Sequence, residues 1–184
     1  MISRRGFLLA AASLALSPAI LAAPVAARRR VLAGDSRGMA PELESALAAS
    51  PFVYISPLRA DGAESTCHAE VWFAWLDGAV LIITATSGWK ARAAAHGLER
   101  ARLWVGDHGR WKTLGVRSDA FRAAPSFVAR AAASKDTALL ERVLATYDRK
   151  YPAEIGTWRE RMRSGFADGT RVLLRYVPEP AART

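Results

Sequence analysis

Thr84, Ser87 and Lys90 stand three residues apart in Thr84-Ala85-Thr86-Ser87-Gly88-Trp89-Lys90. The run Ala91-Arg92-Ala93-Ala94-Ala95-His96, closed by Gly97, predicts a short helix directly behind them. Hydroxyls, a glycine and a lysine therefore gather at a helix start. Backbone N–H groups and the positive end of the helix dipole favour an anion there, and Lys90 adds a full charge. The pattern is not a P-loop, which needs Gly-x-x-x-x-Gly-Lys-Ser/Thr. A capped helix with a surface lysine would carry the same residues.

A second chemical stretch runs from Glu64 to Trp75 and alternates as a strand. Ser65, Cys67, Ala69, Val71, Phe73 and Trp75 fall on one face, which reads as core. Glu64, Thr66, His68, Glu70, Trp72 and Ala74 fall on the other. That second face mixes polar and aromatic groups, which suits a pocket rim, a subunit interface or an ordinary solvent face. His68 is the candidate polar group on it. Cys67 is the single cysteine, so it forms no internal disulfide. His68, His96 and His108 have no paired spacing, so no metal site is expected. A hydrolase is not indicated either, because no Gly-x-Ser-x-Gly elbow occurs.

The elements that must position these groups follow from periodicity. Ala40 to Leu47 reads as a short helix with Pro41 in its first turn. Phe52 to Leu58 reads as a strand, Asp61-Gly62 as a turn, Glu64 to Trp75 as a long second strand, Asp77-Gly78 as a tight turn and Ala79 to Ala85 as a third strand. Short connections of this kind predict an antiparallel meander. Strands at Glu99 to Val105 and around Trp111 to Val116 come next, then a loop with a helical turn from Asp119 to Arg130. Leu139, Leu140, Val143, Leu144, Tyr147 and Tyr151 share one stripe and predict a helix over Asp136 to Tyr151, capped by Asp136 and stopped by Pro152. A short helix around Thr157 to Arg163 and a last strand from Thr170 to Val177 complete the pattern.

The chain has 184 residues, 51% hydrophobic and 23% charged, with a formal charge of +9. That composition excludes a wholly disordered polymer and a polytopic membrane protein. Part of the charge is an address. Ser3-Arg4-Arg5-Gly6-Phe7-Leu8-Leu9, the apolar run to Leu16 and the small residues up to Ala27 resemble a twin-arginine signal peptide. The expectation is a signal over 1–27, a flexible lead-in over 28–39, one domain over 40–178 and a tail over 179–184. It implies passage through the twin-arginine translocase and a periplasmic or otherwise exported protein, with no stable membrane insertion. Loss of Arg4 and Arg5 lowers the charge to +7. The remaining arginines are scattered over several elements without an aromatic–basic stacking motif, so nucleic acid is not an expected partner.

The order helix, strand, Asp-Gly turn, strand with Val71-Trp72-Phe73, Asp-Gly turn, apolar strand and then Thr84-x-x-Ser87-x-x-Lys90 resembles the FMN-binding split-barrel superfamily. That group contains pyridoxamine 5'-phosphate oxidase and its deazaflavin-using relatives. The likeness covers residues 40–110 well and the C-terminal third in outline. It implies a six-stranded antiparallel split β-barrel with flanking helices, a homodimer, and FMN or a deazaflavin in a groove between subunits. The segment matching Thr84, Ser87 and Lys90 would contact the cofactor phosphate. The strand matching Val71, Trp72 and Phe73 would run along the ring, with His68 near it. Two departures stand out. Ala79 to Ala85 carries no basic residue, and His96-Gly97-Leu98-Glu99 replaces the Asn-Pro pair that often follows the lysine helix.

The activity implied is flavin-dependent oxidoreduction, with hydride passing between the cofactor and a small redox substrate. The alternative is a split-barrel protein that binds a flavin or haem without turnover.

Overall fold

The computed structural model describes residues 39–108, 111 and 118–180. Helix α1 spans Pro41–Ala49, β1 Phe52–Pro57, β2 Ala69–Val71, β3 Ala74–Leu76 and β4 Ala79–Ala85. Helix α2 spans Trp89–Ala95, β5 Arg100–Gly106, and a 3₁₀ turn Ala120–Ala123 precedes β6, Ser126–Ser134. Helices α3 (Thr137–Lys150) and α4 (Ile155–Ala167) lead to β7, Arg171–Pro178. The expected signal peptide, nearly all of the lead-in, all but the first residue of the 111–116 strand and most of the tail lie outside the described residues. No described helix is long and apolar enough to cross a membrane.

The strands form one antiparallel sheet in the order β2-β1-β5-β6-β7-β4-β3. Seven strands are described, against the six expected, one of which, around Trp111 to Val116, lies outside the described residues but for Trp111. The other five become seven for two reasons. The predicted strand Glu64 to Trp75 is two short strands, and Ser126–Ser134, expected as part of a loop, pairs with both β5 and β7. The break in the second strand shapes the molecule. Its first half pairs with β1, with Val53 opposite Val71, and its second half pairs with β4, with Ala74 opposite Leu81. The outermost strands of the sheet are therefore consecutive in the chain, joined only by Trp72 and Phe73. This link closes the sheet into a split barrel.

Alternation sorts the side chains. Val53, Ile55, Phe73, Val80, Ile82, Leu103, Val105, Leu174 and Tyr176 fill the barrel, with Leu43 and Leu47 of α1 packed against them. The opposite face of β3, β4 and β7 offers Ala74, Leu81 and Leu173 to Leu140, Val143, Leu144 and Tyr147 of α3. Each large aliphatic group buried this way contributes roughly 1.5–3 kcal/mol. Asp136 caps α3 as expected, its carboxylate accepting from Leu139 N at 3.0 Å. The turn between β3 and β4 holds Asp77 at φ 51° and Gly78 at φ 66°. This is the left-handed pair that a two-residue hairpin requires.

Candidate functional site

Thr84 is the last member of the barrel-facing series Val80, Ile82, Thr84 on β4, and it is buried. The chain then leaves the sheet. Thr86 fixes the exit, its N–H donating to Thr170 O and its hydroxyl to Gly169 O, both at 2.9 Å. Gly88 is the N-cap of α2 and provides no side-chain cap. A Cβ there would stand 3.0 Å from Ala85 O and 3.6 Å from Thr84 Oγ1, so glycine lets the backbone pass close over the end of the strand. Lys90 follows in the first turn of α2, half-buried, with Nζ 4.9 Å from the Trp89 ring centre.

The polar accounting at this corner is unusual. Among the described residues, the Thr84 hydroxyl, the exposed Ser87 hydroxyl and the Lys90 ammonium have no hydrogen-bond or carboxylate partner. Burial pulls the Lys90 amine below its ordinary value, because a desolvated cation without a counter-charge is disfavoured. Two hydroxyls and an uncompensated cation at an uncapped helix start make a set of donors suited to a phosphate.

Val71, Trp72 and Phe73 occupy a different corner, at the break in the barrel. Val71 and Phe73 turn inward. Trp72 turns outward and stacks on Tyr151 with ring centres 4.4 Å apart and an interplanar angle of 9°. The bend leaves strand backbone groups without a neighbouring strand, and α3 satisfies them. Phe73 N donates to Tyr151 Oη at 3.0 Å, Tyr151 Oη donates to Pro51 O at 2.7 Å, and Tyr147 Oη donates to Trp72 O at 3.1 Å. Lys150 Nζ lies 3.3 Å from the Phe73 ring centre and 3.4 Å from Phe73 O. Burial lowers the Lys150 amine to about 7, and it raises both tyrosine hydroxyls above their usual range.

His68 stands at a third place. Arg122 Nη2 is 2.9 Å from His68 Nε2. A guanidinium can only donate, so in this contact Nε2 is the acceptor. Arg122 is held in turn by Glu64 Oε2 at 2.7 Å, and Arg102 Nε reaches Glu64 Oε1 at 3.2 Å. Behind this cluster Phe121 stacks on Tyr54 at 4.8 Å.

The predicted residues thus fall into three groups. Thr84, Ser87 and Lys90 share one connection, Val71, Trp72 and Phe73 share the break, and His68 belongs to an arginine–carboxylate cluster. Sequence reasoning placed Tyr147 and Tyr151 on the helix stripe but missed their hydroxyls. The available signal was the choice of tyrosine at two positions, four apart, where leucine would serve a purely apolar stripe.

No protein-family profile matches the chain, and no curated protein matches it in sequence. Solved structures do. HutZ, described as a heme storage protein from Vibrio cholerae, superposes with TM-score 0.51 at 15% identity, covering 78% of this chain and 92% of that one. A conserved hypothetical protein from Mycobacterium tuberculosis gives TM-score 0.52 at 18% identity, covering 77% and 81%. ChuZ from Campylobacter jejuni gives 0.50 at 10% identity, covering 75% and 52%. The shared feature is the fold, an antiparallel split β-barrel with flanking helices.

Proposed function

We propose that this protein is a flavin-binding split-barrel oxidoreductase. The observation that carries the reading is the half-buried Lys90 in the first turn of α2, without a carboxylate partner among the described residues, with the Thr84 and Ser87 hydroxyls just before it in the chain. A partly desolvated cation without a counter-charge is disfavoured, and an anion at this place would compensate it. FMN is the preferred cofactor, with a deazaflavin as the alternative. Lys90, Thr84 and Ser87 would hold its phosphate, and the Val71–Phe73 segment would border the ring. The bound flavin would supply the hydride chemistry. The protein's part is to orient the cofactor and keep water from it.

The test is direct. Purified protein is expected to carry flavin absorbance, or to bind added FMN in a titration followed by flavin fluorescence. Protein that is colourless and takes up neither FMN nor a deazaflavin overturns the reading. Reduction of the bound flavin by a small-molecule donor separates an oxidoreductase from a carrier.

The likeness to a heme storage protein supports a second reading, haem binding without turnover. In that case the same spectrum shows an intense Soret band instead. Export through the twin-arginine pathway and a homodimer belong to the proposal as well. Fractionation of the producing cell with N-terminal sequencing tests the first, and light scattering on the purified protein tests the second.

A further inference from the structure

A cavity lies along α2, lined by residues other than Lys90. It is a slot of about 510 Å³ between this helix and strands β6 and β7. Such a volume falls within the usual range for small-ligand sites. None of the residues proposed for the flavin lines it. Its walls are made by Ala91, Ala94 and Ala95 of α2 and by Ala131, Ala132 and Ala133 of β6, with Val172, Leu174 and Val177 of β7.

The slot stays open for a structural reason. Alanine side chains end at Cβ and cannot reach across it, and both ends of α2 are tied to the sheet. At the entry, Thr86 is bonded to Gly169 and Thr170. At the exit, Leu98 N donates to Ala93 O at 2.9 Å, Gly97 takes φ 84°, and Ala131 N donates to Glu99 O at 2.7 Å. The helix therefore cannot settle onto the sheet and close the gap, as close packing would favour.

The charge at the mouth is one-sided. Arg130 is engaged by Glu99 at 3.0 Å and by Glu179 at 3.4 Å. Thr86 already donates to Gly169. Arg92 is exposed, lines the slot and, among the described residues, has no carboxylate partner.

We propose that this slot binds a small amphiphilic anion, with its apolar body between the alanine walls and its carboxylate at Arg92. The site is independent of the flavin reading, since it shares neither Lys90 nor Thr84 with it. Decanoate is the probe, with decanol as its uncharged counterpart. The full chain, labelled with ¹³C at alanine methyls, is titrated with each. Decanoate is expected to shift the methyls of Ala91, Ala94, Ala95, Ala131, Ala132 and Ala133 and to leave those of Ala74 and Ala101 unmoved. Arg92→Gln is expected to weaken decanoate by about fivefold and to leave decanol unchanged, as for an exposed ion pair. Ala133→Leu, at an exposed position on the wall, is expected to weaken both by about tenfold or more while the protein stays folded. Shifts confined to other alanines, equal effects of Arg92→Gln on decanoate and decanol, or no binding by the folded wild-type protein each overturn the proposal. So does a titration in which the slot methyls move only with protein concentration, which would assign the slot to a second copy of the chain.

Discussion

The start of α2 and the break between β2 and β3 each bring a lysine and hydroxyl groups into partly buried surroundings, yet they are organised in opposite ways. At the break every polar group has a protein partner: Tyr151 bridges Phe73 and Pro51, Tyr147 serves Trp72, and Lys150 rests on Phe73. At the start of α2, Thr84, Ser87 and Lys90 have no hydrogen-bond or carboxylate partner among the described residues, and the Lys90 ammonium is set against the Trp89 ring. Saturated polar groups hold a fold together, whereas the groups at the start of α2 keep contact with solvent and stay available to a ligand. The sequence motif for the ligand therefore divides in two. Its Trp-Phe half is structural in its present contacts, and its Thr/Ser/Lys half is open.

The sharpest way to break this contrast is Tyr151→Phe. It strips Phe73 N and Pro51 O of their partner, and urea unfolding is expected to show a loss of about 2–4 kcal/mol. An unchanged midpoint would mean that the break needs no brace. Next in size is Lys90→Met, which is expected to weaken FMN binding by about 10–100-fold, as for a charge-assisted hydrogen bond. Stability should be unchanged or higher, because no hydrogen bond or ion pair is lost and a partly desolvated cation is removed.

Lys150 gives a smaller effect that depends on pH. Its amine is near 7 in the folded protein and near 10.5 in the unfolded chain. Between those values the unfolded chain holds more protons, so stability rises with pH across that window. The expected gain from pH 7 to pH 9 is about 1–2 kcal/mol, reduced by residual solvent contact from a limit of roughly 1.4 kcal/mol per pH unit. In Lys150→Met the slope should vanish, and a persisting slope would place its origin elsewhere. Smallest is Thr84→Val, an isosteric change that removes a hydroxyl without a protein partner. Stability is expected to hold within about 0.5 kcal/mol while FMN affinity falls roughly threefold to tenfold. A large loss of stability instead would identify Thr84 as a structural hydroxyl.

Legibility in the sequence followed the strength of local signals. Strand β4 and the Asp77-Gly78 turn were readable because an apolar run rich in β-branched residues meets a pair that tolerates positive φ. Helix α3 was readable from its six-residue stripe and its aspartate cap. Even the broken strand kept its parity, with Val71 and Phe73 inward and Trp72 outward. The break itself was not legible, because the groups that stabilise it arrive from α3, more than seventy residues later. Strand β6 escaped notice for a different reason. Its core, Ala129-Arg130-Ala131-Ala132-Ala133, has low strand propensity and is held by β5 and β7 on either side. At the candidate site, spacing alone brought Thr84, Ser87 and Lys90 together at the start of α2, where the structure also has them. That Trp72 already stacks on Tyr151, and that the His68 ring nitrogen is claimed by Arg122, needed three dimensions.

The closure at Trp72 and Phe73 also bears on how the protein behaves in company. An open sheet exposes a row of unpaired backbone groups at each edge, where another chain can add a strand and seed aggregation. Here both edges are only three residues long and lie next to each other in the chain, separated by a bend that α3 covers. Among the described residues these outermost strands offer a stranger only short templates to extend. A short bend, braced by two tyrosines and a lysine, thus protects a mainly β protein from pairing with its neighbours.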